Sequence, residues 1–526
     1  MWPQFPGRWQ RRQEAQRRQQ IHLLQRPYRK RHHSPRQWLL WLLLPASQPW
    51  PPQSHHQSAQ TATIWAISSI ANARRQALDI HLRLPFPLTI RRLRFLALMS
   101  AALLCGGTNT ASATTPDSTS SATGIKGRLI VGYQGWFGCP EDVPGNTNWE
   151  HWFYKNKATA DNLSVDLLPS VSQFRAEDLC TTQLRRNDGS TINVFSSQNA
   201  RVVATHFRWM RDHGIDGAAV QRFVGPLATP SLKQRSDRVL KNAQAAAEAS
   251  KRVFYVTYDI SGADAETVIA DIRRDWQYLV RELKITASAR YLHVNSKPVV
   301  QLWGFGFKDR PGNVAAVAAL ISDLKNGRQS LKAATVIGGV PSNWRTLDGD
   351  SHTDRRWAEV YRSYDVLSPW SVGRFGDDAG LDKFVRERVL PDMEETKRLG
   401  IGYMPVVFPG FSWFNLQTGR GQKNLAIINQ IPRRCGNFLW RQVSRLLGAR
   451  VDMLYAAMFD EVDEGTALFP TEPREARLPQ GAQMAFLNQD GCVLDDDWYL
   501  RITGKAAHFL RRNEVPPVTL DWVMRR

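Results

Sequence analysis

The sequence predicts a (β/α)8 barrel, an α/β fold of the TIM-barrel kind, with a short C-terminal extension. Short apolar, β-branched runs alternate with helix-length segments, the pattern of a parallel sheet with crossover connections. Eight such runs lie near residues 130, 219, 255, 300, 336, 368, 406 and 456, the strand count of that barrel. A doubly wound open sheet is the runner-up. It usually carries a glycine-rich phosphate loop after its first strand, and Gly132-x-x-Gly135-x-x-Gly138 is not G-x-G-x-x-G.

In chain order, Arg128 to Phe137 reads as the first strand, ending in Gln134-Gly-Trp136. Ala200 to His213 is helical, and Gly217-Ala-Ala-Val220 is a strand ending Gln221-Arg-Phe223. Leu232 to Lys251 is a helix with an alanine-rich face. Arg252 to Tyr258 is a strand ending in Asp259, and Ala265 to Leu283 is the next helix. Lys297 to Leu302 is a strand ending Trp303-Gly-Phe305, followed by the helix Asn313 to Lys325 and the strand Ala334 to Ile337. A helix over Asp354 to Tyr361 precedes the strand Val366 to Trp370. Asp378 to Leu399 is helical, and Gly402 to Phe408 is a strand leading to Pro409-Gly-Phe-Ser-Trp413. The helix Arg433 to Leu447 precedes the eighth strand, Leu454 to Phe459. Residues 471–526 form a closing extension, in which Asp495-Asp-Asp-Trp-Tyr499 caps a helix running to Arg512.

The net charge of +21 suggests nucleic acid, but its location argues otherwise. Residues 1–100 hold 16 basic side chains against Glu14 and Asp79, leaving 53 basic and 46 acidic among the other 426. The body is only mildly basic and carries no nucleic-acid-binding motif. Residues 1–113 are a basic, low-complexity head. Within it, Arg91-Arg-Leu-Arg94, the apolar run Phe95 to Leu104 and Ala111-Ser-Ala113 match the three parts of a secretory signal peptide. A signal at 89–113 implies that residues 1 to about 88 are not normally made and that the protein is secreted or periplasmic. Residues 114–125 are a flexible Thr/Ser/Ala/Gly linker, and the barrel spans 126–470. The run Trp38 to Leu44 is too short to span a membrane, and no integral membrane domain is expected.

Cys105, Cys139, Cys180, Cys435 and Cys492 include no C-x-x-C pair, so no zinc site is expected. With Cys105 removed in a leader, four remain, enough for two disulfides in three connectivities. Cys139–Cys180 is the favoured pair, since both lie in loop-like sequence. Isolated thiols are the alternative.

The chemistry concentrates after the eighth strand, where Asp460, Glu461, Asp463 and Glu464 crowd five positions. A buried unpaired charge costs several kcal/mol or neutralises, so these acids must emerge at the strand's carboxyl end, where barrels carry their sites. A turn after Glu461 would bring Glu461 and Glu464 to one side, and neighbouring carboxyls split their proton affinities. An acidic loop that caps a helix or pairs with arginine is the structural alternative.

The other strand ends offer Trp136, Phe223, Asp259, Trp303, Trp370 and Trp413, an aromatic-walled set suited to the apolar faces of sugar rings. Each tryptophan taken singly could equally be packing. Asp259 is either a hydroxyl-binding acid or a helix cap. Arg374 is a candidate site cation or a partner of one of the acids, and His206 reads as a structural histidine.

Gly132-Tyr-Gln-Gly-Trp-Phe-Gly138, Tyr258-Asp-Ile-Ser261, Pro409-Gly-Phe-Ser-Trp413 and above all Glu461-Val-Asp-Glu-Gly-Thr466 resemble motifs of glycoside hydrolase families 71 and 99, the latter containing endo-α-mannosidases and endo-α-mannanases. The resemblance covers roughly residues 126–470 as scattered strand-end motifs. It implies a retaining glycosidase that needs no cofactor. Glu461 would withdraw the sugar's 2-hydroxyl proton, giving a 1,2-anhydro intermediate, and Glu464 would act as general acid and then base. It also places Tyr133, Trp136 and Asp463 at the sugar site. Between the two glutamates the mannose-acting enzymes have Trp and His, where this chain has Val462 and Asp463, so a related but different glycan is an equal expectation. The expected partner is an oligosaccharide or polysaccharide, with no metal and no nucleic acid. A non-catalytic carbohydrate-binding barrel is the rival reading.

Overall fold

The computed structural model describes residues 122–521. The basic head, the signal-peptide segment with Cys105 and all but the last residues of the 114–125 linker lie outside the described residues.

Twelve strands are present among the described residues. Nine belong to one parallel barrel wall: β1 (Arg128–Tyr133), β4 (Gly217–Phe223), β5 (Val253–Asp259), β7 (Lys297–Trp303), β8 (Thr335–Val340), β9 (Val366–Pro369), β10 (Gly402–Tyr403), β11 (Val406–Val407) and β12 (Met453–Ala456). Each pairs in parallel with its neighbours, in the order β10-β9-β8-β7-β5-β4-β1-β12-β11. The two ends of that order, β10 and β11, are halves of one segment, Gly402 to Val407. Its first half pairs with β9 and its second with β12. The segment thus closes the sheet as the seventh of eight barrel strands. Pro405 divides it, because a residue without an N–H cannot extend the ladder.

The remaining strands are peripheral. β6 (His293–Val294) pairs antiparallel with β7. The hairpin of β2 (Leu179–Arg185) and β3 (Thr191–Phe195) is inserted between β1 and the helix Ala200–Asp212. The hairpin escapes the sequence reading because its polar strands alternate weakly. The disulfide Cys139–Cys180 ties β2 to the loop after β1, and Cys435–Cys492 joins the loop after β11 to the C-terminal extension.

Helices cover the wall because each presents an apolar stripe. In Ala200–Asp212 the residues Val202, Val203, His206, Phe207, Trp209 and Met210 are buried, at the i, i+3, i+4 spacing of one helix face. Fully burying such an apolar side chain contributes about 1.5–3 kcal/mol. The expected helix Asp378 to Leu399 is interrupted by a π turn at Val385–Val389, just before Pro391, which lacks the N–H that an α-helix would need there. The helix Trp498–Arg512 packs between Asn437–Gly448 and Ala200–Asp212, against β1, and completes the outer ring. Its leading acids do not cap it by hydrogen bonds; Asp495 and Asp497 pair with Arg501 instead.

Candidate active site

Strand parity decides what reaches the carboxyl-end face, because side chains alternate across a strand. On β1, a Cβ at Gly132 would lie 2.3 Å from the Tyr455 hydroxyl, inside the barrel. Tyr133 points the other way, fully buried, with its hydroxyl 2.9 Å from Nδ1 of His206 in the helix layer. Gln134 returns to the interior. On β5, Tyr258 turns outward to Asp275, while Thr257 and Asp259 face inward. On β4, Arg222 turns outward, and Phe223 stacks on Trp136 with centroids 5.2 Å apart.

The acidic loop stands above this layer. Past β12 the chain turns at Val462–Gly465 and is sealed at its base by Leu468 N–H to Phe459 O (3.0 Å) and Met458 N–H to Thr466 O (3.3 Å). The acids in it have different surroundings. Asp460 is wholly buried and accepts the backbone N–H groups of Gln134 (2.7 Å) and Gly135 (2.9 Å). Burial pushes its carboxyl up to about 7 against those two donors. It is an anchor that joins the loop to the end of β1.

Glu461 accepts from Gln134 Nε2 at 2.7 Å and from the Thr466 hydroxyl at 2.7 Å. Burial, then the charges of Glu464 and Asp463, hold its carboxyl well above the ordinary range. Glu464 makes no side-chain hydrogen bond among the described residues and is part-exposed. Its carboxyl rises to about 7, through burial and the charge of Asp463, opposed by Arg420 and Arg310. The two donors on Glu461 favour its ionised form. They oppose the burial and the neighbouring charges that hold Glu461 well above its ordinary value.

Asp463 is buried, its Oδ2 3.4 Å from Nδ1 of His151, while its Oδ1 makes no hydrogen bond among the described residues. The His151 ring lies flat on Trp136, centroids 4.1 Å apart at 7°. Asp259 accepts Ser261 N–H at 2.8 Å and caps no helix; burial raises its carboxyl to about 6. Trp303 and Trp370 meet edge to face at 5.2 Å, and the Arg310 guanidinium lies 5.9 Å from the Trp303 ring centre. Trp413 is part-exposed and follows Ser412, whose N–H bonds Glu464 O at 3.0 Å. Asp166 fixes that segment by accepting from the Ser412 hydroxyl, Phe414 N–H (2.6 Å) and Asn415 N–H (2.8 Å).

Two expectations are corrected. Tyr133 does not open on the face, because its parity turns it into the helix layer. Arg374 pairs with Asp350 at 2.8 Å, not with the strand-end acids; the cations whose charge reaches Glu464 are Arg310 and Arg420. Gln134, His151, Arg310 and Arg420 were not singled out from the sequence. Gln134 was legible, two residues from Gly132 on the same face. The other three sit in loops without periodicity.

Among the described residues, the indole N–H groups of Trp136, Trp303 and Trp413 and the atoms Gln134 Oε1, Arg310 Nε and Asp463 Oδ1 have no hydrogen-bond partner. Buried polar groups are nearly always bonded, and these six lie among others of the same kind elsewhere in the fold. Among the described residues no helix is long and apolar enough to cross a membrane.

No protein-family model and no curated protein matches the chain. Solved structures do share its fold. The GH99 endo-α-mannosidase of Bacteroides thetaiotaomicron superposes with a TM-score of 0.53 at 14% identity, covering 74% of this chain and 99% of that one. The same kind of enzyme in complex with bis-tris-propane gives 0.53 and 14%, with 74% and 98% covered. The barrel and the expected likeness to family 99 are thereby met at the level of fold.

Proposed function

We propose that this chain is an exported, retaining glycoside hydrolase that cleaves a polysaccharide or glycan with Glu461 and Glu464. The observation that carries the reading is the unequal environment of two neighbouring glutamates, one buried and one part-exposed, at the carboxyl end of β12. Glu461 has two donors on its carboxylate and Glu464 has none. Sugar chemistry of this kind needs one group ionised and one protonated at the same pH. The fold neighbours are glycosidases by their descriptions, which agrees with the reading.

In the proposed reaction Glu461 takes the 2-hydroxyl proton as that oxygen attacks the anomeric carbon. Glu464 gives its proton to the leaving oxygen. Water, activated by Glu464, then opens the anhydro ring, and Glu461 returns the proton to the 2-oxygen. Trp303, Trp370 and Trp413 offer ring surface, Trp136, stacked on His151 and Phe223, offers its indole N–H, and Asp259 and Asp463 offer acceptors for sugar hydroxyls. Arg310 and Arg420 keep the acid-rich face from accumulating charge.

The test is a digest of α-mannans and of plant and fungal glycans by the chain starting near Thr114, with Glu464→Gln as control. Release of reducing sugar that the substitution abolishes is the expected result. Binding without cleavage by the unsubstituted protein would return the barrel to a carbohydrate-binding role. A 2-fluoro analogue should leave no covalent sugar on either glutamate; an adduct seen by mass spectrometry would mean that a carboxylate is the nucleophile.

A further inference from the structure

We propose that Arg433 is the positioning residue for Glu461, acting through Thr466; the inference rests on the functional reading above and deepens it. Arg433 is buried, and its hydrogen-bond partners among the described residues are carbonyl oxygens, not carboxylates. Removing a guanidinium from water without a counter-charge costs several kcal/mol before compensation, so its partners are informative. Its Nη2 donates to Gly465 O at 2.9 Å and to Ala467 O at 2.7 Å. These are the carbonyls on either side of Thr466, whose hydroxyl donates to Glu461 Oε2 at 2.7 Å. One cation therefore fixes the peptide plane that leads into Thr466 and the plane that follows Ala467, bracketing the segment that carries the Thr466 side chain.

The cation is itself held from outside the barrel strands. Its guanidinium carbon lies 4.4 Å from the centre of the Tyr499 ring, on the helix Trp498–Arg512. The next residue, Arg434, donates its N–H to Asp490 at 2.6 Å. Cys435 is bonded to Cys492, and Cys435 O accepts Trp498 Nε1–H at 3.0 Å. Gly410 leaves the path open, since a Cβ there would come within 2.6 Å of Arg433 Cγ. The C-terminal extension is thus linked to the Glu461 carboxylate through Tyr499, Arg433 and Thr466 in turn.

A double-mutant cycle of Arg433→Met and Thr466→Val, with Arg433→Lys as the conservative variant, tests this. On whichever panel glycan the unsubstituted protein cleaves, Arg433→Met should lower kcat about tenfold or more with little change in KM. The acid limb of kcat/KM should move to higher pH, because a loosened Thr466 no longer stabilises the Glu461 carboxylate. Arg433→Lys should recover part of the loss. In the Thr466→Val background, Arg433→Met should cost far less than it does alone. Additive losses, or a loss that only tracks the folded fraction, would overturn the assignment.

Hydrogen exchange supplies a readout that needs no substrate. In Arg433→Met the amides of Thr466 and Leu468 should exchange faster while those of β4 and β5 keep their rates; unchanged exchange at 466–468 overturns the proposal. If the unsubstituted protein cleaves nothing, the functional reading fails, and this exchange result still decides whether Arg433 sets the loop.

Discussion

Two regions of this barrel bury several carboxylates, and they handle them in opposite ways. Outside the wall, between β4, β5 and the helices, Arg222 donates to both oxygens of Asp275 at 2.6 Å and to Asp237 at 2.7 Å. The hydroxyls of Tyr258 and Tyr278 and the Lys233 ammonium complete the set. Burial alone would raise the Asp237 carboxyl, yet Arg222 and Lys233 bring it below its ordinary value. At the carboxyl end of β12 the balance is reversed. Among the described residues Asp460 and Glu461 have only neutral donors, and neighbouring carboxylates push their proton affinities up. Matched charge is how a fold ties two layers together. Unmatched charge is a cost that a fold has no reason to keep unless a ligand or a proton uses it.

The sharpest break of this contrast is at the glutamates. Glu461→Gln and Glu464→Gln should each reduce glycan cleavage by about 10²–10⁴-fold, while the melting temperature at pH 8 holds or rises, since each removes a crowded charge. A fall in melting temperature would move these residues to the structural side. Arg222→Met should do the reverse. It strands Asp275 and Asp237 and should cost roughly 3–5 kcal/mol of unfolding free energy, measured by denaturant titration, with activity per folded molecule retained.

Acidity tests the same division more gently. The Asp460 and Glu464 carboxyls, both raised to about 7, stabilise the fold most when protonated. Their contribution is complete below about pH 4, the ordinary carboxylate range, and is lost as pH rises through about 7. The melting temperature should therefore fall between pH 5 and pH 8, and Asp460→Asn should flatten that slope. The rate should follow a matching limb: kcat/KM falls above about 7 as Glu464 loses the proton it must donate. The smallest effect belongs to the aromatic wall. Trp413→Ala should weaken glycan affinity by on the order of 1 kcal/mol, read by calorimetric titration, with a smaller change in melting temperature than Arg222→Met.

Much of this protein was determined by the sequence alone. Eight apolar runs became eight barrel strands, because a run such as Val253 to Tyr258 is too short for a helix and too apolar for a loop. The four acids after β12 do stand at the strand's carboxyl end, but Asp460, Glu461 and Asp463 are buried there and only Glu464 is part-exposed, because neutral donors and raised proton affinities take the place of solvent. Cys139 and Cys180 meet as expected. Tertiary structure alone decided which acid has which partner. Gln134 reaches Glu461 across 327 positions, and Arg433 serves a loop 32 residues away. Parity separated Gln134 from Tyr133, one residue apart, sending one to the face and the other to His206. Arg374, attractive by its place in the chain, had Asp350 nearer. Local sequence sets strands and turns through short-range sterics and burial. Proton affinity and hydrogen-bond partnership depend on distances between residues far apart in the chain, and only closure of the barrel sets those.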